Sequence, residues 1–316
     1  MTRNLLRLLL LLLGNFLLLL SLSLFLSKEI QVLVKHIVFT SIAPSGFLND
    51  QINIDDLQKY KFRKDVDSVS SSTLINLINF DQSVSILDSV YAISMVIPFG
   101  YLSLDGCGVK SDNLYANIDW VRSKKGCCSD FTQTFMALSK ISGINVREVI
   151  NKKHTFVEFF NKKDQKWIFL DPRYRLVAKD ETGQLLSSKE IYLAYANKKQ
   201  FHFTFIGLYT DSSFSVKSQK QLLTYFYSKD AYSYLLYKKG NNIFEVDMWN
   251  KKLNFLTRQQ RQLILWVLGI EPGYYFFSND NNIFIYFKIG SFVVISIYFF
   301  INYLIWVKIL KKISFS

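Results

Sequence analysis

The chain has few of the residues that punctuate or staple a fold: 4 Pro, 13 Gly, 3 Cys and 3 His among 316 residues. So little proline and glycine excludes collagen-like and low-complexity chains. Three cysteines exclude a disulfide-dense mini-protein and any four-cysteine zinc site held within one chain. No phosphate-cradling Gly-rich loop and no cluster of metal ligands is visible, so no cofactor or metal is expected, and His36 and His202 read as incidental. Negative charge is also short: 38 Lys and Arg against 25 Asp and Glu leave +13. The basic residues are scattered and no groove-reading motif accompanies them, so nucleic acid is not an expected partner. Apolar residues, by contrast, make up 50% of the chain, which excludes a disordered one. The length allows one large domain or two ordinary ones.

Both ends carry apolar runs. Leu8 to Leu26 is free of charge, preceded by Arg3 and Arg7 and followed by Lys28 and Glu29. As a helix it would be roughly 28 Å long, close to the ~30 Å hydrocarbon core. A cleaved signal peptide is the rival reading, since Ser21-Leu22-Ser23 imitates a small-x-small cleavage site. The apolar run continues past it through Leu24, Phe25 and Leu26, which favours an uncleaved anchor. Ile289 to Val307 is a second charge-free run, with Lys288 before it, Lys308, Lys311 and Lys312 after it, and Tyr286, Tyr303 and Trp306 placed for the interfaces. Positive charge outside both runs puts both ends in the cytoplasm. Residues 28–287 are then expected to be extracytoplasmic, held at the lipid bilayer of the cell membrane.

The expected organisation is an anchor over 1–27, a membrane-proximal lead-in over 28–80, the main domain over 81–210, a helical extension over 211–287, and a second anchor with a basic tail over 288–316. Ile86, Val90, Ile93 and Ile97 recur at helical spacing, as do Leu114, Ile118 and Val121. Phe131, Phe135 and Leu138 form another helical stripe, which Gly143 is placed to end as a left-handed cap. A strand is expected from Asn145 to Ile150, then a hairpin whose arms are His154–Phe160 and Gln165–Asp171 around Asn161-Lys162-Lys163-Asp164. Ser187 and Glu190 form a capping box for a helix to about 197. A strand is expected from Phe201 to Tyr209, and helices over 216–238 and 257–268.

With the hairpin turn centred between Lys162 and Lys163, Phe160 faces Gln165, Glu158 faces Trp167 and His154 faces Asp171. Directly opposed residues share a face, with Cβ atoms ~4.5–5.5 Å apart. A carboxylate there would fix the imidazole tautomer that leaves the other ring nitrogen free as a base. An odd-length loop or a bulge would break this register. Cys128 opens the helical stripe, and a helix N-terminus favours a thiolate, as would a neighbouring imidazolium. Cys128, His154 and Asp171 thus supply a nucleophile, a base and an orienting group. Trp167, Phe156 and Phe169 share the His154/Asp171 face, Asp130 supports the helix start, and Arg147 reads as structural.

The segment from about Asn113 to Pro172 resembles the core of the transglutaminase-like superfamily, cysteine enzymes with a papain-like fold. The residues that carry the resemblance are Gly126-Cys127-Cys128-Ser129-Asp130, Gly143-Ile144-Asn145-Val146-Arg147-Glu148-Val149, His154-Thr155-Phe156, Trp167 and Asp171-Pro172. Thr155-Phe156 departs from the frequent Ala-Trp but keeps the apolar role. The resemblance implies an α+β fold, with a helix bearing the nucleophile packed on an antiparallel sheet. It makes Cys128 the nucleophile, in preference to Cys127, with His154 the base and Asp171 the orienting residue. The implied activity is that of a cysteine protease, another amide hydrolase or an acyltransferase acting on a peptide, protein or other amide. A catalytically silent binding or scaffold protein of the same fold is the alternative. In an oxidising compartment a Cys107–Cys127 disulfide is open.

Overall fold

The computed structural model describes residues 126–206, 216–239 and 273–278 continuously, with Thr40–Ile42, residues 251–256 and scattered single positions besides. Helix α1 (Cys128–Ile141) forms where the apolar stripe recurs, and it buries Phe131, Phe135 and Leu138 completely. It stops where expected: Gly143 takes a φ of +70°, and the N–H groups of Ser142, Gly143 and Ile144 donate to the last-turn carbonyls of Leu138, Lys140 and Ser139.

The strands are β1 (Thr40–Ile42), β2 (Val146–Asn151), β3 (Thr155–Asn161), β4 (Lys166–Leu170), β5 (Leu176–Asp180), β6 (Phe201–Phe205), β7 (Leu235–Lys238) and β8 (Tyr274–Phe277). Six of them form one sheet in the order β1-β8-β7-β2-β3-β4, and β5 pairs with β6 in a second. The pairings β2–β3, β3–β4, β2–β7 and β7–β8 are antiparallel. Helix α2 (Ser188–Asn197) begins at the expected capping box: Ser187 N–H donates to Glu190 Oε2 at 2.7 Å and Glu190 N–H to Ser187 Oγ at 3.2 Å. Helix α3 spans Val216–Phe226.

Period-2 alternation splits β3 and β4 between two apolar layers. Val157, Phe159, Ile168 and Leu170 pack with the α1 stripe and with Val90, Ile93 and Val121. Phe156 and Phe169 pack instead with Tyr174, Ile191, Leu222, Tyr227 and Tyr232. This is an α+β architecture, and the α1 helix lies against β2 and β3.

Three expectations change. The hairpin register is two residues off: Glu158 pairs with Phe169 and Phe160 with Trp167. Asn161 pairs with Lys166, where the expected register set it opposite Asp164, so the loop is 162–165 and its centre lies one residue later than expected. The cause is the Asn161 side chain, which accepts the Lys163 N–H at 3.1 Å and donates to Asp164 Oδ2 at 2.7 Å, building the turn after itself. A two-residue slip preserves every face. His154 and Asp171 therefore remain on one face but lie diagonally, each just beyond its strand.

The second change is at 216–238, expected as one helix. It ends at Phe226, and Leu235–Lys238 is a strand inside the main sheet. Pairing of Ile150 with Leu236 and of Tyr237 with Tyr275 overrides helical periodicity there. The third is that Tyr274–Phe277, placed in a helical extension, is also a strand of that sheet.

The chain divides into two compact units. One comprises Met1–Thr40, Leu253–Ile264 and Asn279–Ser316; the other comprises Ser41–Lys252 and Leu265–Ser278. Among the described residues, no helix is long and apolar enough to cross a membrane. Many positions of the two expected anchors, nearly all of 28–80, and Leu114 and Ile118 lie outside the described residues.

Candidate active site

The start of α1 is shaped by Gly126 and Asp130. Gly126 has a φ of +97°, and a Cβ added there would lie 2.9 Å from Asp130 Oδ2 and 3.2 Å from Trp120 Nε1. Only glycine fits such a backbone against such neighbours. Asp130 Oδ2 accepts the Cys127 N–H at 2.7 Å, which ties the residue before the helix to its first turn. Cys128 is thereby the first helical residue, half-buried beside half-buried Cys127.

His154 and Asp171 meet directly. His154 Nε2 lies 2.8 Å from Asp171 Oδ2, and neither side chain is exposed. The backbone sets both up. Asn151 turns the chain between β2 and β3 by accepting the Lys153 and His154 N–H groups at 2.9 and 2.7 Å. Asp171 makes reciprocal backbone hydrogen bonds with Leu176, while its Oδ1 accepts the N–H groups of Arg173 at 2.8 Å and Tyr174 at 3.4 Å. Its Oδ2 accepts a second donor, the hydroxyl of Tyr227. The rings of Phe226, Tyr174 and Tyr227 lie 4.6, 5.6 and 5.7 Å from the His154 ring. His154 Nδ1 is buried and has no hydrogen-bond partner among the described residues.

Among the described residues no hydrogen bond joins Cys128 to His154 or Asp171; its link to them runs through Thr155 and Arg173, their neighbours in the chain. The Thr155 backbone N–H, next in the chain to His154, hydrogen-bonds the Cys128 sulfur, and the Arg173 guanidinium faces it electrostatically. Both favour a thiolate. They lose to the side-chain hydrogen bond with Cys127, to burial and to the Cys127 charge, which together push the Cys128 thiol well above its ordinary range. The lowered thiol expected from a helix N-terminus and an imidazolium neighbour is therefore corrected. A second thiol adjoins the first and burial adds to its effect, which outweighs the helix start.

The order of these parts is Gly-x-Cys at a helix start, His before one strand and Asp-Pro after the next. Residues 105–172 match the model of the transglutaminase-like superfamily. Members of that superfamily are generally cysteine hydrolases or acyltransferases. No curated protein and no solved structure matches the chain.

Within the transglutaminase-like segment, Arg147 has a structural position. Its Nε and one terminal nitrogen both lie 2.6 Å from Glu158 Oε2, and its guanidinium stacks 4.2 Å from the Trp167 ring. Cys107 lies outside the described residues, and with it any Cys107–Cys127 disulfide. Four residues at the site escaped the sequence reading. Arg173 and Tyr174 left a signal: an Asp followed by Pro and two N–H-bearing residues is an Asx-turn pattern that locks the carboxylate. Phe226 and Tyr227 left none, because only the fold brings them to His154.

The site predicts a pH response of stability. Burial pushes Tyr227, Tyr232 and Tyr237 well above the usual phenol range, and Tyr195 up to about 12. With Cys128, these groups keep their protons in the folded state after the unfolded chain has lost them. Their contribution is complete below the unfolded values and is lost as pH rises through ~8.5 for the thiol and ~10 for the phenols. Each of the fully buried tyrosines Tyr227, Tyr232 and Tyr237 removes up to about 1.4 kcal/mol per pH unit beyond that point, and the partly exposed Tyr195 less. Urea midpoints at pH 7.5, 9 and 10.5 should fall in that order; a flat series would refute the assignment.

Proposed function

We propose that this chain is a membrane-anchored thiol enzyme that cleaves or transfers amide bonds through Cys128, His154 and Asp171. The observation that carries this reading is the division of labour on His154. Nε2 is held by Asp171, and Nδ1 is buried, unpartnered and on the side chain next to the Thr155 N–H that faces the Cys128 sulfur. Because the resting thiol holds its proton, the base acts during attack and not through a preformed ion pair. The Cys128 sulfur bonds to the substrate carbonyl carbon as its proton passes to Nδ1. The imidazolium then protonates the leaving amine as the C–N bond breaks. The resulting thioester passes to water, releasing an acid, or to another amine, forming a new amide. Hydrolysis of a peptide or protein is the first assignment and transfer to an amine the second.

Membrane anchoring is supported by the outer parts of the chain. Helical residues Ile289, Val293, Ile297, Phe300 and Leu304 recur three and four apart and are all exposed, as are Leu12 and Phe16. An apolar stripe left in water is costly, and lipid is the solvent that relieves it. The extracytoplasmic position of 28–287 is tested by reporters fused after Lys28 and after Ser316; cytoplasmic activity from the first would overturn it.

The raised Cys128 thiol favours one alternative, a non-catalytic binding or scaffold protein that retains the fold. Incubation of the full chain with activated acyl esters and small amides, followed by mass spectrometry, separates the two. The enzyme reading expects an acyl adduct on Cys128 that turns over and is absent from Cys128→Ala. No adduct with any donor, together with an unchanged phenotype in Cys128→Ala, would establish the scaffold.

A further inference from the structure

Asp171 has four donors around two oxygens. Oδ1 takes the Arg173 and Tyr174 backbone N–H groups, and Oδ2 takes both His154 Nε2 and the Tyr227 hydroxyl. Backbone donors are fixed by the chain, so Oδ1 is committed. Oδ2 is shared by two side chains that compete for one oxygen's electron density.

Tyr227 is brought there from far away in the sequence, beyond residue 172 where the family match ends. It follows the last residue of α3 and is itself strongly held. Its own carbonyl accepts the Tyr195 hydroxyl, and the carbonyl of Phe226 accepts Asn151 Nδ2–H at 2.9 Å. Asn151 is the same residue whose side-chain oxygen caps the His154 N–H. Lys152 donates its N–H to the Ala231 carbonyl at 3.1 Å and pairs with Asp230 at 2.7 Å. The turn before His154 and the segment carrying Tyr227 are therefore one tied unit, which fixes the hydroxyl relative to the imidazole. Tyr227 is only 1% exposed, so water does not replace its bond to Asp171.

We propose that Tyr227 is a positioning residue of this site: by sharing Asp171 Oδ2 with His154 Nε2, it sets how tightly the carboxylate grips the imidazole. This rests on the thiol-enzyme reading for its purpose, though not for its geometry. A hydroxyl that draws charge from Oδ2 leaves less for His154, so the imidazole remains oriented without being bound too firmly to give its proton up. The titratable groups that face Asp171 are Tyr174 from the loop after β4 and Tyr227 and Tyr232 from the segment after α3; Cys128 from α1 and Arg173 face each other beside Tyr174.

The test is Tyr227→Phe in the full chain, read by the NMR position of the His154 Nε2–H proton and by the pH profile of Cys128 acylation. Relieved of one donor, Oδ2 should accept more strongly from His154. The Nε2–H proton should move downfield, and the acid limb of the profile should rise by about 0.5–1 pH unit. Should Tyr227→Phe fail to fold, 3-fluorotyrosine placed at 227 keeps the ring and makes the hydroxyl a stronger donor, so both readouts should move the other way. A folded variant whose Nε2–H proton stays at the wild-type position overturns the proposal, whatever Cys128 does. A moved proton beside a Cys128 that accepts no acyl group supports the positioning and overturns the enzyme reading instead.

Discussion

Asp171→Asn should slow acylation of Cys128 by on the order of 10³–10⁴-fold while the fold stands. The size follows from the orientation the amide must take. Two backbone N–H groups, of Arg173 and Tyr174, point at Oδ1, and that end must remain an acceptor. The amide nitrogen is forced into the Oδ2 position, where it donates to His154 Nε2. An Nε2 that accepts carries no proton, so the imidazole proton moves to Nδ1, the nitrogen that has to receive the thiol's proton. One atom is exchanged and the base is switched off. The Tyr227 hydroxyl also loses its acceptor, so a loss of stability of about 1–3 kcal/mol is expected alongside. Nitrogen chemical shifts of His154 report the tautomer, and acylation kinetics report the rate. A variant that changes tautomer yet keeps its rate would remove His154 Nδ1 from the mechanism.

The sequence carried the α1 stripe and its glycine cap, the Ser187–Glu190 box, and the hairpin arms with their faces. Each of these is local: a period, a cap or a turn chemistry read within a dozen residues. The pairing of His154 with Asp171 survived an incorrect register because parity, not exact opposition, decides which face a residue occupies. What failed was non-local. Leu235–Lys238 alternates too briefly to declare itself, and only β2 and β8 on either side make it a strand. The Cys128 thiol was misjudged for a related reason. A helix start argues for a thiolate in isolation, but the outcome depends on burial and on which groups the fold sets against the sulfur. Tyr227 belongs to the same class, since no spacing in the sequence connects it with Asp171.

The largest loss of stability is expected from Glu158→Ala. Glu158 is wholly buried, as is nearly all of Arg147, and the two meet at 2.6 Å between β2 and β3. The other Glu158 oxygen accepts the Ser188 N–H at 2.6 Å, so the same carboxylate closes the N-terminus of α2. Arg147 is stacked between Trp167 at 4.2 Å and Tyr237 at 4.7 Å and cannot reach water without opening the sheet. Removing the carboxylate takes the 2.6 Å acceptor from a buried cation and the acceptor of the Ser188 N–H from a helix start, at a cost of about 3–5 kcal/mol. Against a typical total of ~5–15 kcal/mol, that is enough to unfold a marginal domain. The cost arises from a buried charge that has lost its carboxylate more than from the lost attraction, and this distinction is measurable. The double variant Arg147→Met, Glu158→Leu deletes both charges and leaves apolar volume against Trp167 and Tyr237. It should therefore be more stable than Glu158→Ala alone, despite carrying one more substitution. Urea midpoints of the two proteins decide the matter: a double variant no better than the single one would mean that the ion pair itself, and not the avoidance of a buried charge without its carboxylate, holds β2, β3 and α2 together.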